Sequence, residues 1–131
     1  MNPQINAILI GVEDIDRAKK FYAEGLGCPI GQDHRVFVQF NLGDGTTSLG
    51  LYSWSDLEKD AGMTGKNTHD FRGFTLSYFV PSAEAVDEVM GKAERAGGKV
   101  LKAGAKQQWG GYSGTFADPD GYVWKVASDA A

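Results

Sequence analysis

Residues 116–127 read "FADPDGYVWKVA". Asp118-Pro119-Asp120-Gly121 has the composition of a tight turn, because proline presets φ near −65° at the second position and glycine accepts the place where φ is positive. The residues on either side are rich in aromatic and β-branched types, so the turn joins two strands, "GGYSGTFADP" before it and "GYVWKVA" after it. Moving back along the chain, "GKVLKAG" is a further short strand. Before that, Ala83, Val86, Val89, Met90 and Ala93 recur at helical spacing, with Ser82 as N-cap and Gly97 and Gly98 as the stop. "FRGFTLSYFV" ahead of this helix is a strand. The second half therefore runs β, α, β, β, β.

The first half follows the same order. "INAILIGV" is a strand with Ile8, Ile10 and Val12 on one face and Ile5, Ala7 and Leu9 on the other, a pattern that predicts cover on both sides. Asp14 caps a helix whose apolar positions are Ile15, Ala18, Phe21, Tyr22 and Leu26, ended by Gly25 and Gly27. Three strands follow: one around Cys28 to Gln32, then "RVFVQFNLG", then "TSLGLYSW", the last two joined by "GDG". A Ser55-to-Glu58 capping-box spacing predicts a short helix over 55–62, and a polar linker runs on to about Asp70. Placing Val12-Glu13-Asp14 on Val80-Pro81-Ser82 superposes the halves at an offset of 68 residues, with few identities. The predicted organisation is one α+β domain over 1–131: module 1 at about 4–54, helix and linker at 55–70, module 2 at about 71–127.

Composition narrows the function. Apolar residues make up 42% of the 131 residues and charged ones 23%, an ordinary globular mix. A net charge of −4 with scattered lysines and arginines argues against nucleic acid, whose recognition relies on a basic face. A single cysteine, Cys28, forms no internal disulfide, and without a nearby basic partner it reads as a buried, inert thiol. No apolar run approaches the ~20 residues of a bilayer span, and the start has no basic n-region, so the expected location is the cytoplasm, without a membrane partner. "GYSGT" misses the nucleophile elbow at Thr115, and "GLGCPIG" has the wrong spacing for a dinucleotide loop.

The stretches "GVEDIDRAKKFYAEGLG" (11–27) and "WGGYSGTFADPDGYVWKVA" (109–127) resemble the vicinal oxygen chelate superfamily, which includes glyoxalase I, bleomycin-resistance proteins and extradiol dioxygenases. The resemblance covers about Ile5 to Ala127. It implies two βαβββ modules pairing into an incomplete barrel around a cavity, and a homodimer. It also implies divalent-metal ligands, His on the first strand of each module and Glu on the last. Here those positions fall on Ala7, Thr75, Gly50 and Lys125, none of which is a competent ligand. The stretches "NAILIG", "SLGLYS", "GFTLSY" and "YVWKVA" contain no His, Asp or Glu, so a slip of register restores none. His34 and His69 read as solvated loop residues. The expectation is a site with no metal and no other cofactor.

If the ligand positions face inward as the resemblance implies, alternation puts Ala7, Leu9, Ser48, Gly50, Tyr52, Trp54, Thr75, Ser77, Val123 and Lys125 on the cavity wall. That wall is expected to be apolar and aromatic with few polar groups, with Trp109 and Tyr112 closing one end. The candidate ligand-binding residues are thus Tyr52, Trp54, Thr75, Ser77, Trp109, Tyr112 and Lys125. Lys125 either snorkels to water or stands inside as a cation that anchors an acidic group. The expected function is to bind or sequester a small apolar or aromatic molecule. The alternatives are a metal-dependent lyase, isomerase or dioxygenase, and a metal-free enzyme using Lys125.

Overall fold

The computed structural model describes residues 5–43, 47–60, 72, 74–108 and 110–130. The chain divides into two compact units, Met1–Asn67 and Thr68–Ala131. The predicted linker, the end of the short helix at Gly62, Asp44 and Gly45 of the "GDG" turn, His69 and Trp109 lie outside the described residues.

Unit 1 holds β1 (Ala7–Val12), α1 (Ile15–Lys20), a π-helical turn (Phe21–Gly25), β2 (Ile30–His34), β3 (Phe37–Leu42), β4 (Thr47–Ser53) and α2 (Trp54–Asp60). Its sheet has the order β1-β4-β3-β2, with β1 and β4 parallel and the other neighbours antiparallel. A parallel pair needs a crossover, and α1 is part of it. The Asp14 carboxylate accepts from the Arg17 N–H at 3.0 Å, which satisfies one of the unpaired donors of the first turn. At the far end the Leu26 N–H reaches back to the Phe21 carbonyl at 3.0 Å, the wide closure of a π turn. Gly27, at φ 76°, turns the chain away.

The core of unit 1 lies between α1 and one sheet face. Ile10, Val12, Val38, Phe40, Leu49 and Leu51 are buried there beneath Ala18, Phe21 and Tyr22. Tyr22 packs edge-on against Phe21 at 5.0 Å and obliquely against Phe40 at 5.8 Å, geometries that aromatic rings favour. The prediction that β1 is covered on both faces is corrected: Ala7 is exposed and Leu9 is 41% exposed, because α1 lies on the opposite face.

Two boundaries of unit 1 also differ from expectation. The second strand starts at Ile30, since Cys28 spends its N–H on the Tyr22 carbonyl at the helix exit. The short helix starts at Trp54 and is capped by Ser53, whose Oγ accepts from the Asp56 N–H at 3.2 Å; Ser55 lies inside the first turn.

Unit 2 repeats the plan with β5 (Thr75–Phe79), α3 (Ala83–Arg95), β6 (Lys99–Lys106), β7 (Tyr112–Ala117) and β8 (Val123–Ser128), in the order β5-β8-β7-β6. Here β5 and β8 are the parallel pair. Ser82 caps α3 by accepting from the Ala85 N–H at 3.1 Å. At its end Gly98 N–H bonds the Ala93 carbonyl and Gly97 N–H the Glu94 carbonyl, the paired closure that needs a left-handed residue, and Gly97 supplies φ 104°. Val86, Met90 and Ala93 of α3 are buried, as are Phe116, Trp124 and Val126 of the sheet. Phe116 and Trp124 stack with planes 2° apart.

The β7–β8 hairpin behaves as its sequence predicts. One oxygen of the buried Asp118 accepts from the Asp120 and Tyr122 N–H groups, both at 2.9 Å, and Gly121 sits at φ 91°. Arg72 ties the approach to β5 onto this turn: it donates to the Asp120 carbonyl at 2.9 Å and lies 4.3 Å over the Tyr122 ring. The offset of 68 residues holds for β1 onto β5 and Asp14 onto Ser82, then widens to 75 for β3 onto β7, since β6 and its following loop are longer than β2 and its turn. Asp118→Ala leaves two buried N–H groups without an acceptor and is expected to lower unfolding free energy by about 1–3 kcal/mol, read from urea denaturation; Asp118→Asn, which keeps one acceptor oxygen, retains most of the stability.

Candidate functional site

In unit 1 α1 with its π-helical turn, and in unit 2 α3, cover one face of the sheet, and alternation sends every second side chain to the other. The strand register identifies that second set. In unit 1, Ala7 pairs with Ser48, Leu9 with Gly50 and Gly11 with Tyr52, and β3 adds Asn41, Gln39 and Phe37 opposite Ser48, Gly50 and Tyr52. Phe37 and Tyr52 lie ring to ring at 4.7 Å. Trp54, the first residue of α2, packs its backbone and ring against Gly11; a Cβ there would lie 3.1 Å from the Trp54 Cα. Leu9, Phe37, Tyr52 and Trp54 thus share one face, with Gln39 and Asn41 beside them, joined by a hydrogen bond of 2.9 Å.

In unit 2 the corresponding face is built in rows. Thr75, Val123 and Ala117 form one, Ser77, Lys125 and Thr115 the next, and Phe79, Ala127 and Ser113 the third. Lys125 is half-buried between Ser77 and Thr115, on the side of the sheet opposite the buried Trp124 and Val126. The expectation of a wall with few polar groups is therefore corrected for unit 2, where hydroxyls and an ammonium group predominate.

Tyr112 stands apart from these residues. It pairs with Ser128, in line with Phe116 and Trp124, and its hydroxyl donates to both Asp87 carboxylate oxygens of α3 at 2.9 and 3.1 Å. That hydrogen bond to a carboxylate pushes the Tyr112 phenol above its ordinary range. The structure thus brings Thr75, Ser77 and Lys125 together on one sheet face and Tyr52 and Trp54 on another, and turns Tyr112 towards a helix. Phe37, Gln39, Asn41, Ser113 and Thr115 were not among the expected residues. Alternation in "RVFVQFNLG" and "GGYSGTFADP" carried the signal, but only cross-strand register assigns their faces.

The residues at the four superfamily ligand positions do not fit a divalent ion. Ala7 has no donor atom, Thr75 is a weak neutral one, and Lys125 is a cation. At Gly50 there is no room either: a Cβ would lie 2.7 Å from Leu9 Cδ2 and 2.9 Å from Phe37 Cε1. Among the described residues no group of three His, Cys, Asp or Glu side chains converges as a metal site. An open recess of about 460 Å3 on unit 1 is lined by Asp14, Asp16, Lys19, Asp33, His34 and Arg35. Two of its three acids are engaged: Asp14 caps α1, and Asp33 pairs with Lys19 at 2.6 Å.

The chain belongs to the Glyoxalase/Bleomycin resistance protein/Dioxygenase superfamily, whose family model matches residues 4–126. Among solved structures it is similar to a glyoxalase-related enzyme from Fulvimarina pelagi, with 26% identity, a TM-score of 0.87, and 95% of this chain and 87% of that one covered. It is also similar to a glyoxalase/bleomycin resistance protein/dioxygenase family enzyme from Burkholderia phytofirmans, with 21% identity, a TM-score of 0.79, and 96% and 98% covered. A protein from Agrobacterium tumefaciens solved by NMR shares 28% identity at a TM-score of 0.76, with 99% and 100% covered. None of the curated proteins matches. No helix among the described residues is long and apolar enough to cross a membrane.

Two measurements test the local chemistry. Gly50→Ala forces Leu9 or Phe37 to move and is expected to cost roughly 1–3 kcal/mol in urea unfolding, towards the lower end because the exposed Leu9 can rotate. Burial pushes the half-buried Cys28 thiol up to about 11, so the neutral thiol persists through neutral pH. Alkylation by iodoacetamide at pH 8 is expected to run about a hundredfold below that of a free cysteine, and to keep rising above pH 9, where a free thiol levels off.

Proposed function

We propose that this protein binds a small aromatic or apolar molecule through the sheet faces opposite α1 and α3, sequestering it without a divalent metal. The observation that carries this reading is the donor set: Ala7, Gly50, Thr75 and Lys125 offer no imidazole or carboxylate, and neighbouring side chains fill the space at Gly50. Support also comes from Leu9, Phe37, Tyr52 and Trp54, which leave a partly exposed apolar and aromatic surface on the face away from α1. In this proposal Tyr52 and Trp54 are the stacking residues on the face of unit 1, Thr75, Ser77 and Lys125 the polar residues on the face of unit 2, and Trp109 is carried as a further stacking residue on the strength of its sequence position. Tyr112 has no part in it, since its hydroxyl is held by α3. We place the protein, as a homodimer, in the cytoplasm.

The Fulvimarina relative is described as a glyoxalase-related enzyme. A metal-dependent activity of that kind would need ligands at the four positions where this chain has none, which is why binding is preferred to turnover.

Elemental analysis of the purified protein and tryptophan fluorescence during titration with 1-naphthol and quinoline test the proposal together. The expected outcome is less than about 0.1 divalent ion per chain and saturable quenching that EDTA leaves unchanged, with both compounds recovered intact. Stoichiometric metal with quenching abolished by EDTA overturns the proposal, as does the absence of saturable quenching by either compound.

A further inference from the structure

The face of unit 1 opposite α1 carries two neutral amides whose hydrogen bonds can be counted. Gln39 and Asn41 stand two residues apart on β3, so alternation puts both on the face that holds Leu9, Phe37 and Tyr52. Each amide brings an NH2 group with two donors and an oxygen that accepts. Gln39 spends both of its donors: Nε2 bonds Asn41 Oδ1 at 2.9 Å and the Phe40 carbonyl at 3.4 Å. The Phe40 carbonyl also fixes which end of the Gln39 amide is the nitrogen, since an oxygen there would face another oxygen. What remains is Gln39 Oε1 as an acceptor and Asn41 Nδ2 as a donor, and neither is hydrogen-bonded to a described residue.

These two atoms converge. A Cβ on Gly31, in the neighbouring strand β2, would collide with Gln39 Oε1 and lie 2.8 Å from Asn41 Nδ2, so both reach the same point above the glycine. Asn41 is exposed and Gln39 half-buried, which leaves the pair within reach of a ligand. Gly50 is the cross-strand neighbour of Gln39, one strand spacing of about 4.8 Å away. Leu9 and Phe37 close over Gly50, and the Phe37 ring lies 4.7 Å from that of Tyr52. An apolar floor and a donor–acceptor pair are therefore side by side.

The pair discriminates by chemistry. A hydrocarbon edge laid against it would strip water from an oxygen and an amide nitrogen and return a bond to neither. A carboxylate would satisfy Asn41 and set its charge against the Gln39 oxygen, and an ammonium would do the reverse. A neutral edge with one N–H beside one C=O satisfies both.

We infer that this face of unit 1 takes a planar aromatic ring that carries a cyclic secondary amide. The amide N–H donates to Gln39 Oε1, its C=O accepts from Asn41 Nδ2, and the ring lies on Leu9 and Phe37. This rests on the reading of the chain as a small-molecule binding protein and adds the polar edge that its ligand presents.

Calorimetric titration with 2-quinolone and 1-methyl-2-quinolone, which differ by the N–H, tests the inference, with quinoline as the probe of ring binding alone. Wild-type protein is expected to bind 2-quinolone about tenfold more tightly than its methyl derivative, the worth of one half-buried hydrogen bond. Gln39→Met removes the acceptor and is expected to bring the two within about twofold. Asn41→Asp turns the donor into an acceptor and is expected to weaken 2-quinolone about tenfold. Equal affinities in the wild type, a ratio that survives Gln39→Met, an affinity unchanged by Asn41→Asp, or binding of quinoline without either quinolone overturns the inference and leaves the small-molecule reading in place. If none of the three compounds binds, the reading fails and the inference with it.

Discussion

The parallel pairing of the first and last strand in each unit is the constraint on which the other features rest. Ala7–Val12 beside Thr47–Ser53, and Thr75–Phe79 beside Val123–Ser128, cannot be joined by a tight turn. The chain must cross the sheet, and in both units it does so through a helix over one face. That helix buries the alternate residues beneath it and sends the others to the opposite face. The cores around Phe40 and Leu51, and around Trp124 and Val126, follow from this arrangement. So do the ring pair of Phe37 with Tyr52 and the row holding Lys125.

Local signals were the most legible part of the sequence. Asp14, Ser82, Gly97 and the Asp118–Gly121 turn act within a few residues of themselves, and each makes the backbone hydrogen bonds, or takes the φ value, that its residue type favours. The short helix was misjudged because Ser53 and Ser55 are equally good caps by type. The choice falls to where β4 releases the backbone, and that depends on pairing with a distant strand. The apolar second face of β1 was misjudged for a related reason. Composition reports that Leu9 avoids water, but it does not report that α1 lies on the other side.

The candidate site was half legible. The ligand positions of the superfamily could be counted along the chain, and the face to which Thr75, Ser77 and Lys125 belong follows from alternation. Cross-strand neighbours could not be counted. Thr115 meets Lys125 only through the register of β7 against β8, and the two irregularities of β6 decide instead which of its residues lies opposite Thr115. Tyr112 was misplaced because a Gly-rich approach gives no phase, and only its bond to Asp87 reveals the face it takes. The superfamily position at Gly50 is more informative in three dimensions than in one: the sequence records a missing carboxylate, whereas the structure shows the vacated volume occupied by Leu9 and Phe37.

The charges of unit 2 also bear on how it meets a charged surface: its strands carry Lys99, Lys102, Lys106 and Lys125 without an acid, whereas α3 carries Glu84, Asp87, Glu88 and Glu94 against Lys92 and Arg95 and is negative on balance. Opposite charges on two layers make a dipole along the line from helix to sheet. A uniform field exerts a torque on a dipole whatever the net charge. Near an anionic surface the whole protein, at −4, is repelled, yet unit 2 would still turn its strands inward and its helix outward. Orientation and attraction are then separate properties of unit 2, and the layer to which each of its charged residues belongs governs the first of them.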